Sequence, residues 1–301
     1  MDRLAQNTAM GDVELLVRDL DAVLAFYAEG VGLDVLRHDG PEAVLGRGGA
    51  QIMRLVQRSD LPEFRRGDAG LFHTAILFGD EAGLARAVAS VARFAPRSFT
   101  GSADHLVSQA FYFDDPEGNG LELYVDRPRD QWRRHADGTV DMATIHLDPN
   151  AFLQTHLPQA PAPAEDGAGI GHVHLQVGDI ALAEQFYAGV LGFDVMNRYG
   201  SQALFVAAGG YHHHIGMNTW NSQGAGPRAA SLGLGQVSIE LPTTDDVDAL
   251  VSRLRTAGVE MRHDGETLRF DDPWKTLIEV RAAARPRDHA HAGATGGRLV
   301  T

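Results

Sequence analysis

Two stretches of this chain align without a gap. GDVELLVRDLDAVLAFYAEGVGLDV, from Gly11, and GHVHLQVGDIALAEQFYAGVLGFDV, from Gly171, share Gly, Val, Leu, Val, Asp, Phe-Tyr-Ala, Gly and Asp-Val at the same places. Self-similarity at this scale constrains architecture more than any composition does, because each copy must fold as the same small unit. Each begins with alternating apolar residues (Val13, Leu15, Val17; Val173, Leu175, Val177), which predicts a half-buried strand. Each continues as an amphipathic helix with Asp19 or Asp179 as N-cap, then turns at Gly32 or Gly192 into another strand. A Gly-Gly hairpin follows in both, at Gly48-Gly49 and Gly209-Gly210.

A second, looser pair completes the pattern. HTAILFGDEAGLARAVASVARF, from His73, parallels QVSIELPTTDDVDALVSRLRTAGV, from Gln236. FYFDDPEGNGLELYVD parallels LRFDDPWKTLIEVRA, each with a glutamate six residues after the proline, Glu122 and Glu279. The chain therefore reads as α+β, with four βαβββ modules at 9–58, 70–128, 169–222 and 233–282. The modules should pair into two barrel-like domains, since one module alone leaves a sheet face open. The N-terminal half spans 9–128 and the C-terminal half 169–282. Residues 129–168, with the run PQAPAPAEDG, read as a linker, and 283–301 as a flexible tail in which His289 and His291 are tail residues.

Composition narrows the chemistry. The formal net charge of −14, with no basic stripe, argues against nucleic acid as a partner. There is no cysteine, so disulfides, thiolate catalysis and cysteine-held metals are excluded. No apolar run is long enough for a membrane span and the N-terminus has no apolar signal segment, so the expected location is the cytoplasm.

The motifs H-V-x-L-x-V-x-D (172–179), FYxxxLGF (186–193) and DDPEGNGLEL (114–123) resemble the vicinal oxygen chelate superfamily, and the four-module order resembles its extradiol, catechol-2,3-type ring-cleaving dioxygenases. The resemblance covers about residues 9 to 282. It implies metal ligands on the first and last strands of modules. Module one offers Asp12, module two His73 and Glu122, module three His172, and module four Gln236 and Glu279. Pairing three with four would give His172, Gln236 and Glu279; pairing one with two would give Asp12, His73 and Glu122. Pairing two with three gives His73, His172 and Glu122, a two-histidine, one-carboxylate set suited to Fe(II) with open positions, and equally to Mn(II). That pairing uses every good ligand and is preferred on economy. Taken singly, His73 reads as a core histidine, Glu122 as a solvent-facing carboxylate and His172 as an exposed strand residue; at matched repeat positions the three read together as ligands.

The resemblance also implies an acid/base histidine, and its register selects His213 within the run His212-His213-His214. Simple strand alternation instead turns His212 and His214 inward, so those two remain rivals. Tyr112, ten residues before Glu122, and His105 are implied as the groups that orient the substrate oxygen. Trp220 and Asn218 are candidate wall residues. The implied partners are a small aromatic diol and O2, giving a hydroxymuconic semialdehyde. Two alternatives stand beside this: a glyoxalase-type metal-dependent isomerase, and a non-catalytic small-molecule binder of the same fold. Open sheet edges leave room for a homo-oligomer.

Overall fold

The computed structural model describes residues 3–159 and 167–283. The expected tail, with His289 and His291, and most of the PQAPAPAEDG run lie outside the described residues.

The four βαβββ modules are present, and the fold is α+β with two curled sheets. Module one contains β1 (Ala9–Val17), α1 (Leu20–Ala25), β2 (Asp34–Asp39), β3 (Glu42–Arg47) and β4 (Ala50–Gln57). Module two contains β5 (Gly70–Phe78), α2 (Glu81–Phe94), β6 (Phe99–Asp104), β7 (Ser108–Asp114) and β8 (Gly120–Asp126). The segment expected as a linker carries an edge strand, β9 (Ile145–His146), paired antiparallel to β6, and a short helix, α3 (Pro149–His156). Module three follows with β10 (Ala168–Gln176), α4 (Ile180–Glu184), β11 (Asp194–Tyr199), β12 (Ala203–Ala207) and β13 (Ile215–Asn218). Module four has β14 (Gly233–Leu241), α5 (Thr244–Thr256), β15 (Met261–His263), β16 (Thr267–Asp271) and β17 (Leu277–Ala282).

Modules two and three share one nine-stranded sheet, ordered β11-β12-β13-β10-β5-β8-β7-β6-β9. Modules one and four share an eight-stranded sheet, ordered β15-β16-β17-β14-β1-β4-β3-β2. The seams are antiparallel: β10 on β5, and β14 on β1. Each sheet thus draws one module from each half of the chain.

The repeated motifs tie the two modules of each half together on the helix side. Asp19 and Asp179 cap α1 and α4 by accepting from Ala22 and Leu182 amides. Both helices widen into a π turn, at Phe26–Val31 and Gln185–Val190. The Tyr27 hydroxyl there donates to Asp115 (3.5 Å), and Tyr187 donates to Asp272 (3.0 Å). Asp115 also accepts from the Glu117 and Asn119 amides, and Asp272 from those of Trp274 and Thr276. The Phe-Tyr and Asp-Asp-Pro signatures are therefore two ends of one contact joining modules one to two and three to four. Beneath them Val13, Leu15, Val173 and Leu175 enter one large apolar core with Phe26, Tyr27, Phe186 and Tyr187.

Candidate metal centre

The seam between β5 and β10 sets the site. His174 is paired with His73, and His172 with Ala75, which is in turn paired with Glu122 on β8. Alternation along each strand puts His73, Ala75, His172, His174 and Glu122 on the same face. Ala75 stands between His172 and Glu122, and its single methyl leaves room for both side chains to converge. The His73 Nε2 lies 2.9 Å and the His172 Nε2 3.2 Å from Glu122 Oε2. His73, Glu122 and His172 are all buried and offer donor atoms within 4.8 Å of one another; no other such cluster of three or more occurs among the described residues.

The donors are in the form that holds a cation. Burial pulls the His172 imidazole down to about 4, against the opposing pull of Glu122, so it is neutral near pH 7. Burial works to raise the Glu122 carboxyl, but the His172 and His73 imidazoles beside it outweigh that and hold it well below its usual range. The His73 Nε2 is buried and makes no well-aligned hydrogen bond despite its short approach to Glu122. Two imidazole nitrogens and one anionic oxygen at a common point, one nitrogen without a donor or acceptor of its own, fit a divalent ion of the Fe(II) or Mn(II) class.

This centre opens onto a cavity of about 640 Å³. His105, Tyr112 and His213 line it together with His73 and Glu122, while His172, His212 and His214 do not. The alternation argument for His212 and His214 fails for a local reason. In module one the Gly-Gly turn joins β3 to β4 directly, but in module three Tyr211–His214 intervene before β13 begins at Ile215, so strand parity does not govern them. His214 instead accepts from the Ala208 amide through Nδ1 (3.2 Å), with burial pulling its pKa down to about 3. The His213 ring packs against His172 at a tilt, 4.0 Å between centroids, and burial, then His172 and His212, hold it well below its usual range.

Tyr112 is paired with Glu122 across β7 and β8. Burial and the charge of Glu122 push its hydroxyl well above the usual tyrosine value, so it stays protonated. The His105 Nδ1 lies 2.6 Å from the Ala143 carbonyl and its Nε2 2.7 Å from the Tyr112 hydroxyl. A carbonyl only accepts, so Nδ1 carries the proton of a neutral His105, and Tyr112 donates to Nε2.

Several wall residues were not anticipated. Met142, Ala143 and Thr144 come from the expected linker, brought in by the pairing of β9 with β6. His174 also lines the cavity; its Nε2 is bonded to Asn218 Nδ2 (3.0 Å), and its ring packs in one cluster with Phe72 and Trp220. Trp220 is a wall residue as expected, whereas Asn218 is wholly buried behind His174. The strand motif H-V-H-L does place His174 on the His172 face, a signal present in the sequence.

The other sheet repeats this geometry with different chemistry. Glu14 is paired with Gln236, and Ser238 with Glu279, matching His174–His73 and Ala75–Glu122. There, Arg281 bonds Asp12 (3.0 Å) and Glu240 (3.1 Å), and Arg269 bonds Glu279 (2.8 Å). Gln51 donates to the second oxygen of Asp12 (2.7 Å). Guanidinium groups thus neutralise the acids at the matching positions of this sheet.

Residues 9–123 and 169–280 match the family described as the glyoxalase/bleomycin resistance protein/dioxygenase superfamily. The chain is 36% identical over 279 residues to the catechol-2,3-dioxygenase of Bacillus subtilis (strain 168), covering 91% of this chain and 96% of that protein. Among solved structures, a Bacillus subtilis protein provisionally described as a dioxygenase superposes with a TM-score of 0.65 at 12% identity, over 93% of this chain and 86% of that one. Glyoxalase I from Zea mays superposes with a TM-score of 0.56 at 17% identity, over 92% of each chain. No helix among the described residues is long and apolar enough to cross a membrane. With both repeats matched and a relative aligned over nearly its whole length, this chain belongs to the glyoxalase/bleomycin resistance protein/dioxygenase superfamily.

Proposed function

We propose that this protein is an extradiol dioxygenase that cleaves a catechol or substituted catechol with O2, using Fe(II), or Mn(II) on the same donors. The observation that carries the reading is the convergence of His73, His172 and Glu122 at the wall of a cavity whose other polar groups are His213, Tyr112 and His105. The 36% identity to a catechol-2,3-dioxygenase supports the same activity.

His73, His172 and Glu122 would hold the metal, which when bound acidifies a ligated hydroxyl and brings diol and O2 together. The protein groups do the rest. The Tyr112 hydroxyl is anchored by His105 at 2.7 Å and lines the cavity, where it meets a substrate hydroxyl and sets its direction. His213, neutral in the empty protein, is the group that takes up a substrate proton and returns it as the ring opens. Phe72, Phe205, Trp220 and Met142 form apolar walls that take the ring and keep water from it. Both oxygen atoms of O2 end in the product, a hydroxymuconic semialdehyde.

The test is anaerobic loading with Fe(II), then addition of catechol and O2 while following the visible absorbance of the ring-opened product. Turnover that disappears in His73→Ala, His172→Ala and Glu122→Gln is the expected result. A metal-loaded protein that leaves catechol and substituted catechols unchanged refutes the reading; isomerisation of a thiol hemiacetal without colour would point to the glyoxalase-type alternative.

A further inference from the structure

Behind His213 lies a hydrogen-bonded chain that the cavity itself does not show. The Asp126 Oδ1 is 2.8 Å from His212 Nε2, and His212 Nδ1 is 2.7 Å from His213 Nδ1. His212 has no exposed surface and is packed by the rings of Tyr211 and Trp132. Asp126, at the end of β8, lies at the rim of the sheet, where its side chain is 23% exposed in a shallow depression with Leu77, Val125 and Gly167–Gly169. The chain therefore runs from solvent, through one sealed imidazole, to the residue that faces the cavity.

We propose that Asp126 and His212 are positioning residues that hold His213 in a single tautomer, with its Nε2 bare toward the cavity. A carboxylate only accepts, so His212 Nε2 carries the proton of that ring. A neutral imidazole has one N–H, so His212 Nδ1 is a lone pair. Two lone pairs cannot face each other at 2.7 Å, so His213 Nδ1 carries a proton and donates to His212. That leaves His213 Nε2 unprotonated, and no protein partner bonds it among the described residues. Asp126 acts at the cavity only through His212, as the outer carboxylate of a histidine pair fixes which nitrogen is free. The tautomer assignment stands on these contacts for a neutral pair of imidazoles. Its consequence for turnover rests on the dioxygenase reading: His213 must accept a proton before it can donate one, so the substrate hydroxyl is the proton's source and the opened product its destination.

The tautomer is measured on the metal-free protein with 15N-labelled histidine. Long-range proton–nitrogen NMR spectra distinguish protonated from bare ring nitrogens, and His213→Gln identifies the His213 signals by their loss. The expected wild-type pattern is a protonated Nδ1 and a bare Nε2. In Asp126→Asn, whose amide can donate to His212, the His213 signals should shift to the opposite tautomer or to an averaged pattern. A wild-type His213 protonated on Nε2 overturns the proposal, as does an Asp126→Asn spectrum with the His213 tautomer unchanged. In catechol turnover Asp126→Asn should lose roughly 10²-fold in kcat with KM nearly constant, and Asp126→Glu should recover part of it. An unchanged kcat in Asp126→Asn would count against the proposal. Inactivity of the wild type toward every catechol would refute the dioxygenase reading while leaving the NMR result to decide the tautomer.

Discussion

Replacing Glu122 with glutamine should separate a metal ligand from a structural ion pair. Glu122 is buried, and its Oε2 is the meeting point of His73 and His172 at 2.9 and 3.2 Å. In the metal-free protein this is a buried anion at the cavity wall, with His73, His172 and Tyr112 as close polar neighbours. Retaining a buried charge costs several kcal/mol unless it is fully paired. Glutamine keeps the shape, donates to one imidazole lone pair and removes the charge. Because the folded protein holds the Glu122 carboxyl well below its usual range, the anion is favoured there, and the metal-free Glu122→Gln protein should melt modestly below the wild type. With metal the gap widens. An ion at about 100 times its Kd adds about 2.7 kcal/mol to the wild type. For a chain of this size that is roughly 5 °C in Tm. Glutamine offers no anionic ligand, so the variant should gain almost none of it. The assay is thermal melting with and without Mn(II), which avoids oxidation, followed by elemental analysis. An equal metal-induced rise in both proteins would refute the ligand assignment. A metal-free variant melting many degrees below the wild type would show that the carboxylate serves as a structural anion.

Three further outcomes follow from other contacts. Arg281→Met leaves Asp12, which is 5% exposed, with Gln51 as its one remaining side-chain partner among the described residues; it should cost about 2 kcal/mol in urea unfolding yet leave one metal per chain, and loss of the metal would show that the two sheets are coupled. Gly216→Ala would place a methyl 3.0 Å from His174 Nδ1 while Asn218 holds the opposite side of that ring, so His174 must shift into the cavity; a several-fold rise in KM for catechol at unchanged metal content is expected, and an unchanged KM would show that His174 does not border the substrate. The buried imidazoles make the metal-free protein acid-labile. His172 and His214 have folded-state values of about 4 and about 3, below the unfolded value of about 6.5, so the unfolded chain takes up protons first as pH falls. Each should remove about 1.4 kcal/mol of stability per pH unit below 6.5 until its folded value is reached. Denaturation midpoints that stay level from pH 7 to 5 would contradict this.

Much of this architecture was readable because it is repeated. The four modules, the caps at Asp19 and Asp179, and the candidate ligands all sit at equivalent places in aligned copies. The pairing of module two with module three rested on ligand chemistry alone, since the β5–β10 contact joins residues about a hundred positions apart and leaves no local trace. The same limit hid Met142–Thr144, which reach the cavity only because two residues of the expected linker join the edge of β6. For the triple histidine, alternation was the wrong rule: a four-residue excursion after the Gly-Gly turn separates it from the strand, and tertiary contacts with Asp126 and Ala208 orient the rings. The two Asp-Asp-Pro motifs were visible as repeats, but the bonds of their second aspartates to Tyr27 and Tyr187 emerged only in three dimensions.

The crossed assembly of the sheets has a consequence for ancestry. A chain half this long, with only the first two modules, could close neither β1 nor β5 against a neighbour of its own. Two identical copies could do so by trading strands, and would then own a pair of equal clefts. Joining them end to end removes the need for the copies to stay alike. One cleft is then free to refine its ligands while the other fills with arginine and becomes ballast for the fold.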